Sequence, residues 1–354
     1  MSALLSDRFI LYLRQCNIAK WGLSIERLSF YLPDYDILKG THIPKKEEAM
    51  RIVLIGQAAF GQRILEELLK RGEQVVGVYL PPDVSGRIDP LKELAQKESI
   101  PVFQPKRMRD PEVITDYVKL QPDLNIMAFV TDIVPESILK YPPLGTIQYH
   151  PSLLPKHRGG SAINWPIING ETKTGLTIFW PDKGLDTGPI LLQKEVEISP
   201  HDTVGSLYYD KLFPLGVDAL MEALDLVQKG IAPRIPQDES QATYEGLCNE
   251  EATIIDWAQP ASKVYNLIRG ANPQPGATTY FRGKKLKIFD SELRLGPVEK
   301  AAGEIIEITE QGLLVAAQGG AILVKRVQPE ASPKIMVPDY IRSVGLKVGD
   351  KLGE

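Results

Sequence analysis

Short apolar runs alternate with helix-forming stretches in the first half of this 354-residue chain, and this alternation limits the possible folds. The run RIVLIG (51–56) is followed by a helical pattern over 57–72 that Gly72 closes, and QVVGVYL (74–80) is the next strand-like run. Strands that alternate with helices form parallel sheets, because each helix returns the chain to the same edge in a right-handed crossover. We therefore predict an α/β fold with a Rossmann-like, mostly parallel sheet.

The alternation continues to residue 150. The pattern predicts helices over 89–98 and 111–122 and strands over 100–105, 123–130 and 146–150. The last of these strands, TIQYH, places His150 at its carboxyl end. Because ligands bind at the carboxyl ends of the strands in open α/β sheets, His150 is a candidate functional residue.

Two glycines flank the first predicted turn from strand to helix. The spacing of Gly56 and Gly61, without a following Lys-Ser or Lys-Thr, is neither that of a phosphate-binding P-loop nor that of the dinucleotide-binding motif. A tight turn and close packing of the helix explain both glycines more simply than nucleotide binding does.

The chain divides into four predicted parts. Residues 1–49 lack clear periodicity, and they are interpreted as a dispensable extension or the product of an upstream start codon, since Met50 is a second possible start. Acidic residues in this part argue against a targeting peptide. Residues 50–230 form the predicted catalytic domain and 231–250 a proline-containing linker. Strand-like runs joined by glycine turns predict a small C-terminal β-barrel, OB-like, over 251–354.

Composition excludes several classes of protein. No run approaches the roughly 18 apolar residues of a membrane span, so no membrane partner is expected. Cys16 and Cys248 have no partners at metal-ligand spacing, which argues against a zinc site and is typical of a reducing cytoplasm. The net charge of -4 provides no overall attraction to DNA.

A second polar loop follows His150 at a distance of 36 residues. It reads PDKGLDTG, and its glycines let the chain bend sharply so that Asp186 can face the strand ends. A carboxylate beside an imidazole fixes the tautomer of the ring and favours its charged form. Gln148 lies two residues before His150, so its carboxamide shares the same face of the strand. An imidazolium and a carboxamide together can hold one carbonyl oxygen as negative charge develops on it.

These motifs resemble those of the folate-dependent formyltransferases. That family carries Asn-x-His-Pro-Ser-Leu-Leu-Pro-x-x-Arg-Gly followed by Asp-x-Gly-Leu-Asp-x-Gly, and this chain reads QYHPSLLPKHRG at 148–159 and DKGLDTG at 182–188. The resemblance extends from residue 50 to the C-terminus and includes IRGANPQPGATT at 268–279. One position departs from the pattern: Gln148 stands where the transferases usually have Asn, and where the hydrolase domain of 10-formyltetrahydrofolate dehydrogenase has an apolar residue.

The resemblance implies that 10-formyltetrahydrofolate is the formyl donor and that no metal is required. The catalytic residues implied are His150, Asp186 and Gln148. The folate would be bound by Phe129, Val130, Thr131, Asp132, Asp182 and Gly184, and the substrate would also contact Ser152 and Arg158. For Arg158 and Lys156 two interpretations stand side by side, contact with an anionic substrate and a solvated loop.

The formyl acceptor is not determined by the motifs. Water is favoured, because segments such as PPDVSGRIDPLKELA (81–95) and LYYDKLFPLG (207–216) are similar to the hydrolase domain of the dehydrogenase. Methionyl-tRNA is the alternative partner, since the end of the chain, IMVPDYIRSVGLKVGDKLG, is similar to the tRNA-directed enzymes. A sugar-amine acceptor and a non-catalytic folate-binding protein are further alternatives.

Overall fold

The computed structural model describes residues 49–83 and 86–354. The prediction of an N-terminal extension over 1–49 therefore lies outside the described residues, apart from Ala49. Within the described ranges, no helix is both long enough and apolar enough to cross a membrane.

A seven-stranded sheet forms the centre of the first half of the described chain, in the order β3-β2-β1-β4-β5-β6-β7. Its strands are β1 Arg51–Gly56, β2 Gln74–Tyr79, β3 Val102–Phe103, β4 Leu124–Ala128, β5 Thr146–His150, β6 Lys173–Phe179 and β7 Ile190–Glu197. Strands β1 to β5 are parallel, whereas β6 runs antiparallel to β5 and β7 antiparallel to β6. The mostly parallel α/β sheet is confirmed, and β5 has the predicted bounds.

Helices connect the parallel strands. They are α1 Ala58–Lys70, α2 Pro90–Lys97, α3 Pro111–Tyr117 with a 3₁₀ turn over Val118–Leu120, and α4 Glu136–Leu139. Helix α1 begins after Gln57, whose backbone is extended, and the chain leaves the helix at Gly72, where φ is +76°. The apolar face of α1 buries Phe60, Ile64 and Leu68 in the core beside the sheet.

The glycines around the first turn are required by close packing. A Cβ atom on Gly56 would lie 2.3 Å from the carbonyl oxygen of Ala128, and one on Gly61 would lie 2.9 Å from Cδ2 of Leu91. Both distances are too short for a side chain, so glycine at position 56 allows β1 to approach β4 closely, and glycine at position 61 allows α1 to approach α2. The interpretation from sequence, a tight turn with close helix packing, is confirmed.

A long helical segment follows the last two strands. Helix α5 Asn164–Ile168 precedes β6, and after β7 come α6 Val204–Ser206, one π-helical turn over Leu207–Leu212 and α7 Phe213–Gln228. The sequence prediction does not include this segment, because the π-helical turn shifts the 3.6-residue apolar period between α6 and α7. Helix α7 buries Val217, Leu220 and Leu224 in the same core as α1.

The C-terminal region contains a separate antiparallel sheet in the order β10-β11-β12-β9-β8, with β13 beside β12. Its elements are α8 Ala261–Gly270, β8 Ala277–Phe281, β9 Lys284–Leu295, β10 Ile305–Thr309, β11 Gly312–Ala317, β12 Gly320–Pro329, β13 Ile335–Met336 and α9 Val337–Val344. A second apolar core includes Val264 and Ile268 of α8 together with Ile288 and Val324 of the sheet. The predicted C-terminal β-sheet region is confirmed, and its sheet is compatible with a small barrel.

Candidate active site

His150 ends β5, next to the carboxyl end of β4 on one side and the antiparallel strand β6 on the other. Its side chain is buried, with a relative exposure of 4%. The parallel strands end together at this edge of the sheet, where open α/β folds bind ligands. The structure therefore places His150 where the strand pattern predicts it.

Both ring nitrogens of His150 face oxygen atoms. Nε2 lies 2.9 Å from the carbonyl oxygen of His157, and Nδ1 lies 3.5 Å from Oδ2 of Asp186. A carbonyl oxygen only accepts hydrogen bonds, so Nε2 carries a proton. An unprotonated Nδ1 would point its lone pair at the negatively charged Asp186 carboxylate, which is unfavourable. A protonated Nδ1 would be attracted to the same carboxylate. The ring therefore lies between a backbone hydrogen-bond acceptor and a nearby carboxylate.

Asp186 is held in a tight loop with a left-handed backbone. Its φ is +55°, a conformation that Asp and Asn adopt more readily than most residues. Its Oδ2 accepts a hydrogen bond of 2.8 Å from the backbone N–H of Gly159. A Cβ atom on Gly188 would lie 1.8 Å from the carbonyl oxygen of Trp180, so this loop closes only with glycine there. The loop therefore brings the carboxylate to His150, as the spacing of its glycines predicts.

Asp182 and Gly184 stabilise the same loop from within. Oδ1 of Asp182 accepts hydrogen bonds from the backbone N–H of Gly184 at 2.9 Å and from Oγ1 of Thr187 at 2.6 Å. These bonds form a local turn of the kind that Asp commonly makes. Both residues lie in the predicted loop, and their role in holding the folate stays a prediction.

The carboxamide of Gln148 lies on the same face of β5 as His150. The side chain is partly exposed, and it makes no hydrogen bond to any residue that the structure describes. An unpaired amide donor beside a charged imidazole can hold a developing oxyanion without first breaking another bond. The arrangement suits the predicted role of Gln148.

Residues 129–132 line a cleft of about 250 Å³ at the carboxyl ends of β1, β2 and β4. The strand order reverses between β1 and β4, which is the usual position of ligand sites in this type of sheet. Phe129 has φ of +62° and is 41% exposed, so its ring remains available to a ligand. Asp182 and Gly184 are not part of this cleft. Its walls are formed by Ile55, Gly56, Gln57, Tyr79, Leu80, Pro81, Pro105, Lys106, Met108 and residues 129–132.

Ser152 and Arg158, the two predicted substrate contacts, are both buried and bonded within the protein. Ser152 is fully buried, and its Oγ donates a 2.6 Å hydrogen bond to the carbonyl oxygen of Lys156. The side chain of Arg158 has no exposed surface and forms two bonds to the carboxylate of Glu239, at 2.7 and 2.9 Å. The interpretation of Arg158 as part of a solvated loop is therefore wrong, because its guanidinium is buried and paired. Contact of Ser152 and Arg158 with the substrate stays a prediction.

Comparison with known proteins decides the family. Residues 50–224 match the family model described as formyl transferase, and residues 248–345 match the model described as formyl transferase, C-terminal domain. The chain is 40% identical over 308 residues to methionyl-tRNA formyltransferase of Syntrophus aciditrophicus, a match that covers 85% of this chain and 98% of that enzyme. The chain belongs to the folate-dependent formyltransferase family.

Other members of the formyltransferase family are larger. The cytosolic 10-formyltetrahydrofolate dehydrogenase of Mus musculus is 44% identical over 296 residues, which cover 79% of this chain and 33% of that protein. The chain thus spans about a third of the length of the dehydrogenases that it matches. The structure of HypX from Aquifex aeolicus in complex with tetrahydrofolic acid has a TM-score of 0.63 at 20% identity, covering 86% of this chain and 49% of that one. At this identity the likeness concerns the fold.

Four polar residues of this formyltransferase-family site were not given a role from sequence. His157 is buried between two carboxylates, with Nε2 3.0 Å from Glu171 and Nδ1 3.1 Å from Glu245. Gln237 donates to the backbone of the Asp186 loop. His157 lies within the family motif, and this position is a signal for it. Glu245 and Gln237 come from the predicted linker, where composition alone indicates no functional role.

The site contains no predicted metal ligands. Over residues 49–83 and 86–354, no group of three or more His, Cys, Asp and Glu side chains is placed to hold a metal ion. The polar side chains around His150 in this formyltransferase fold instead bond to one another and to backbone atoms.

Proposed function

We propose that the chain removes the formyl group of 10-formyltetrahydrofolate, with water as the acceptor. The observation that carries this proposal is the arrangement of His150 between Asp186 and the carbonyl oxygen of His157, with the unpaired carboxamide of Gln148 on the same strand face. These groups supply a positive charge and a hydrogen-bond donor to one oxygen atom. Such donors stabilise the oxyanion of acyl-transfer intermediates.

The proposed reaction proceeds through a tetrahedral intermediate. Water attacks the formyl carbon, and negative charge develops on the formyl oxygen, which His150 and Gln148 stabilise. The bond between the carbon and N10 then breaks as N10 receives a proton from His150. Of the two protons of the attacking water, one restores the His150 ring and the other passes to solvent, and the products are formate and tetrahydrofolate. The proton on Nδ1 of His150 is the one available for this transfer, because the Nε2 proton is engaged by His157. Asp186 stabilises the charged ring before transfer.

The cleft lined by residues 129–132 is the proposed site of the pterin ring. The hydroxyl of Tyr79, in the wall of this cleft, is buried and has no hydrogen-bond partner among the described residues. Burial raises the pKa of Tyr79, so the phenol remains a neutral donor at physiological pH. Phe129, partly exposed at the same cleft, offers a ring face to a planar ligand.

We prefer water to methionyl-tRNA as the formyl acceptor because most basic side chains of the C-terminal region are paired with carboxylates. Nine of the 14 lysines and arginines in residues 251–354 pair with a carboxylate. Binding to RNA phosphates depends on unpaired basic charge that can displace counterions. A tRNA would have to break these pairs or find its contacts elsewhere.

Methionyl-tRNA formyl transfer is the second candidate. Its support is the match to the Syntrophus aciditrophicus methionyl-tRNA formyltransferase, which extends over nearly the whole of that enzyme. The amino group of the methionyl ester would then replace water as the nucleophile, while the roles of His150, Asp186 and Gln148 would be the same.

We also propose the division of the chain and its location. Residues 50–230 would form the catalytic domain, 231–250 the linker and 251–354 the C-terminal domain, an assignment supported by the two separate apolar cores. A cytoplasmic location is proposed from the small number of cysteines, which is two in the full sequence.

One experiment separates the candidates. The purified chain is incubated with 10-formyltetrahydrofolate at low salt, with and without methionyl-tRNA, and tetrahydrofolate, formate and formyl-methionyl-tRNA are quantified. Tetrahydrofolate and formate in equal amounts without tRNA support the proposal. Turnover that requires tRNA supports the second candidate, and folate binding without turnover under either condition indicates a non-catalytic folate-binding protein.

A further inference from the structure

The two residues that face the ring nitrogens of His150, His157 and Asp186, are held by side chains from a segment distant in sequence. Residues 237–245, called the strap here, lie in the sequence between helix α7 and helix α8. Its residues bond to the loop that contains His157 and to the loop that contains Asp186. The geometry of the catalytic pair therefore depends on the strap as well as on β5.

The first contact of the strap is made by Gln237. Its Nε2 donates to the carbonyl oxygen of Asp186 at 2.8 Å and to that of Gly188 at 2.7 Å. Its Oε1 accepts from Arg158, at 3.2 Å from Nε and 2.7 Å from Nη2. One carboxamide thus joins the Asp186 loop to the loop that follows His150.

The second contact of the strap is made to His157. The backbone N–H of His157 donates to Oγ1 of Thr243 at 2.8 Å, and Nδ1 lies 3.1 Å from the carboxylate of Glu245. The backbone N–H of Arg158 donates to the carbonyl oxygen of Thr243 at 3.1 Å. These bonds orient the carbonyl group of His157 that accepts from His150.

The strap is needed because both partners have unfavourable backbone conformations. His157 and Asp186 are left-handed, with φ of +54° and +55°. A non-glycine residue in this region is strained, and it persists only where surrounding bonds hold it. Gln237 bonds directly to the backbone of Asp186 and Thr243 to that of His157.

We propose that Gln237 is a positioning residue for formyl transfer, an inference that rests on the proposed function of His150 and Asp186. It keeps the Asp186 carboxylate 3.5 Å from Nδ1 of His150, and through Arg158 it couples the two loops. Gln237 does not touch the reacting atoms. Its effect arises from orientation, and misplacement of a catalytic group by about 1 Å costs on the order of 10²-fold in rate.

The test compares three variants in the full chain. Gln237→Ala removes every bond of the carboxamide, and we expect kcat to fall by roughly 10- to 100-fold while KM for 10-formyltetrahydrofolate changes less than about threefold. Gln237→Glu retains an acceptor for Arg158 but presents oxygen to two carbonyl groups. Gln241→Ala is the matched control, since Gln241 is exposed in the same strap and bonds through its side chain only to Ser240 among the described residues.

Gln237→Glu separates the two contacts of Gln237. If the bonds to Asp186 and Gly188 matter, this variant loses as much kcat as Gln237→Ala. If only the support of Arg158 matters, Gln237→Glu keeps the kcat of the unmodified chain, and the proposal is overturned. If Gln237→Ala does not fold, Gln237→Glu still provides the test, because the new carboxylate can pair with Arg158 and so retain that contact.

A second measurement does not depend on activity. The ¹⁵N resonances of the four histidine rings report their protonation and hydrogen bonds, and the His150 signals are assigned by their loss in His150→Asn. We expect Gln237→Ala to shift the His150 signals and Gln241→Ala to leave them unchanged. If Gln237→Ala shifts the His150 signals but the unmodified chain does not turn over 10-formyltetrahydrofolate, the proposed function is refuted while the positioning role is supported. Unchanged His150 signals in a folded Gln237→Ala chain would refute that role.

Discussion

The Asp186 carboxylate lies 3.5 Å from Nδ1 of His150, while the opposite nitrogen of the same ring lies 2.9 Å from the carbonyl oxygen of His157. When both ring nitrogens carry protons, one N–H points at the backbone carbonyl and the other lies near the carboxylate. This arrangement accounts for a buried histidine at the end of β5, because an imidazolium removed from water requires acceptors on both nitrogens.

Replacement of His150 by Asn should lower kcat by roughly 10²- to 10⁴-fold, because both the proton donor and the positive charge near the oxyanion are lost. The measurement is the initial rate of tetrahydrofolate release. His201→Asn is the matched control, since His201 is exposed and its ring contacts only Tyr265 among the described residues, at 3.5 Å. A loss of less than tenfold in His150→Asn would rule out the catalytic role.

Two substitutions of Asp186 should separate its charge from its backbone conformation. Asn tolerates the left-handed conformation and retains an oxygen acceptor for the N–H of Gly159, so Asp186→Asn should fold normally but lose about 10²-fold or more in kcat. Asp186→Ala should also lose about 1–2 kcal/mol of unfolding free energy from backbone strain. Thermal unfolding and kcat measured on both variants test this, and full activity in Asp186→Asn would show that charge is unnecessary.

Gln148→Leu should lower kcat by about 10²- to 10³-fold, since removal of one oxyanion donor has this typical cost. The carboxamide has no hydrogen bond to other described residues, so the free energy of unfolding should change by no more than roughly 0.5 kcal/mol. Steady-state kinetics and urea unfolding are the measurements. If Gln148→Leu turns over as fast as the unmodified chain, His150 stabilises the formyl oxygen without the carboxamide.

Arg158→Ala should destabilise the fold by about 3 kcal/mol, because it removes a fully buried side chain together with its bonds to Glu239 and Gln237. The hydrogen bonds to Glu239 raise the pKa of Arg158, so the guanidinium is charged at every accessible pH. Arg63→Ala provides the comparison, since among the described residues Arg63 pairs with Glu66 and Glu67 at a half-exposed helix surface and should contribute less than about 1 kcal/mol. Urea unfolding of both variants measures the difference, and equal effects would contradict it.

Asp202 should make the fold sensitive to acid. Burial raises the pKa of Asp202, but hydrogen bonds from Lys211, the backbone N–H of Ser199 and Oγ of Ser206 outweigh burial and leave the pKa below its usual value. A carboxyl whose pKa is lowered by folding contributes stability above its unfolded pKa of about 3.9, and this contribution is lost as the pH falls through the folded value.

Asp202→Asn should therefore reduce the loss of stability below pH ~4 and lower stability at neutral pH. Urea unfolding at a series of pH values from neutral to acidic compares the two chains. Parallel pH profiles for the variant and the unmodified chain would show that Asp202 does not contribute to acid sensitivity. Lys211→Met offers a second comparison, since it removes one of the groups that lower the pKa of Asp202.

Much of the fold was predictable because its signals are local. The strand that carries His150 was identified with its observed bounds, and the chain turns away from helix α1 at Gly72, two residues after the helix ends at Lys70. The helical segment over 204–228 was not predicted, since a π-helical turn interrupts its periodicity. The burial of Ser152 and Arg158 was not predicted for a different reason: it depends on neighbours that sequence spacing does not reveal.

Local sequence patterns specify the parallel sheet, the position of His150 at its edge, and the glycine-containing loop that presents Asp186. Each of these follows from residues that are close together in the chain, through strand alternation or turn chemistry. The pairing of Arg158 with Glu239 and the bonds of Gln237 to the Asp186 loop became visible in the folded chain alone, across separations of 81 and 51 residues. Contacts at such separations depend on how the chain packs, because the path between the two residues is set by the core and not by their local sequence.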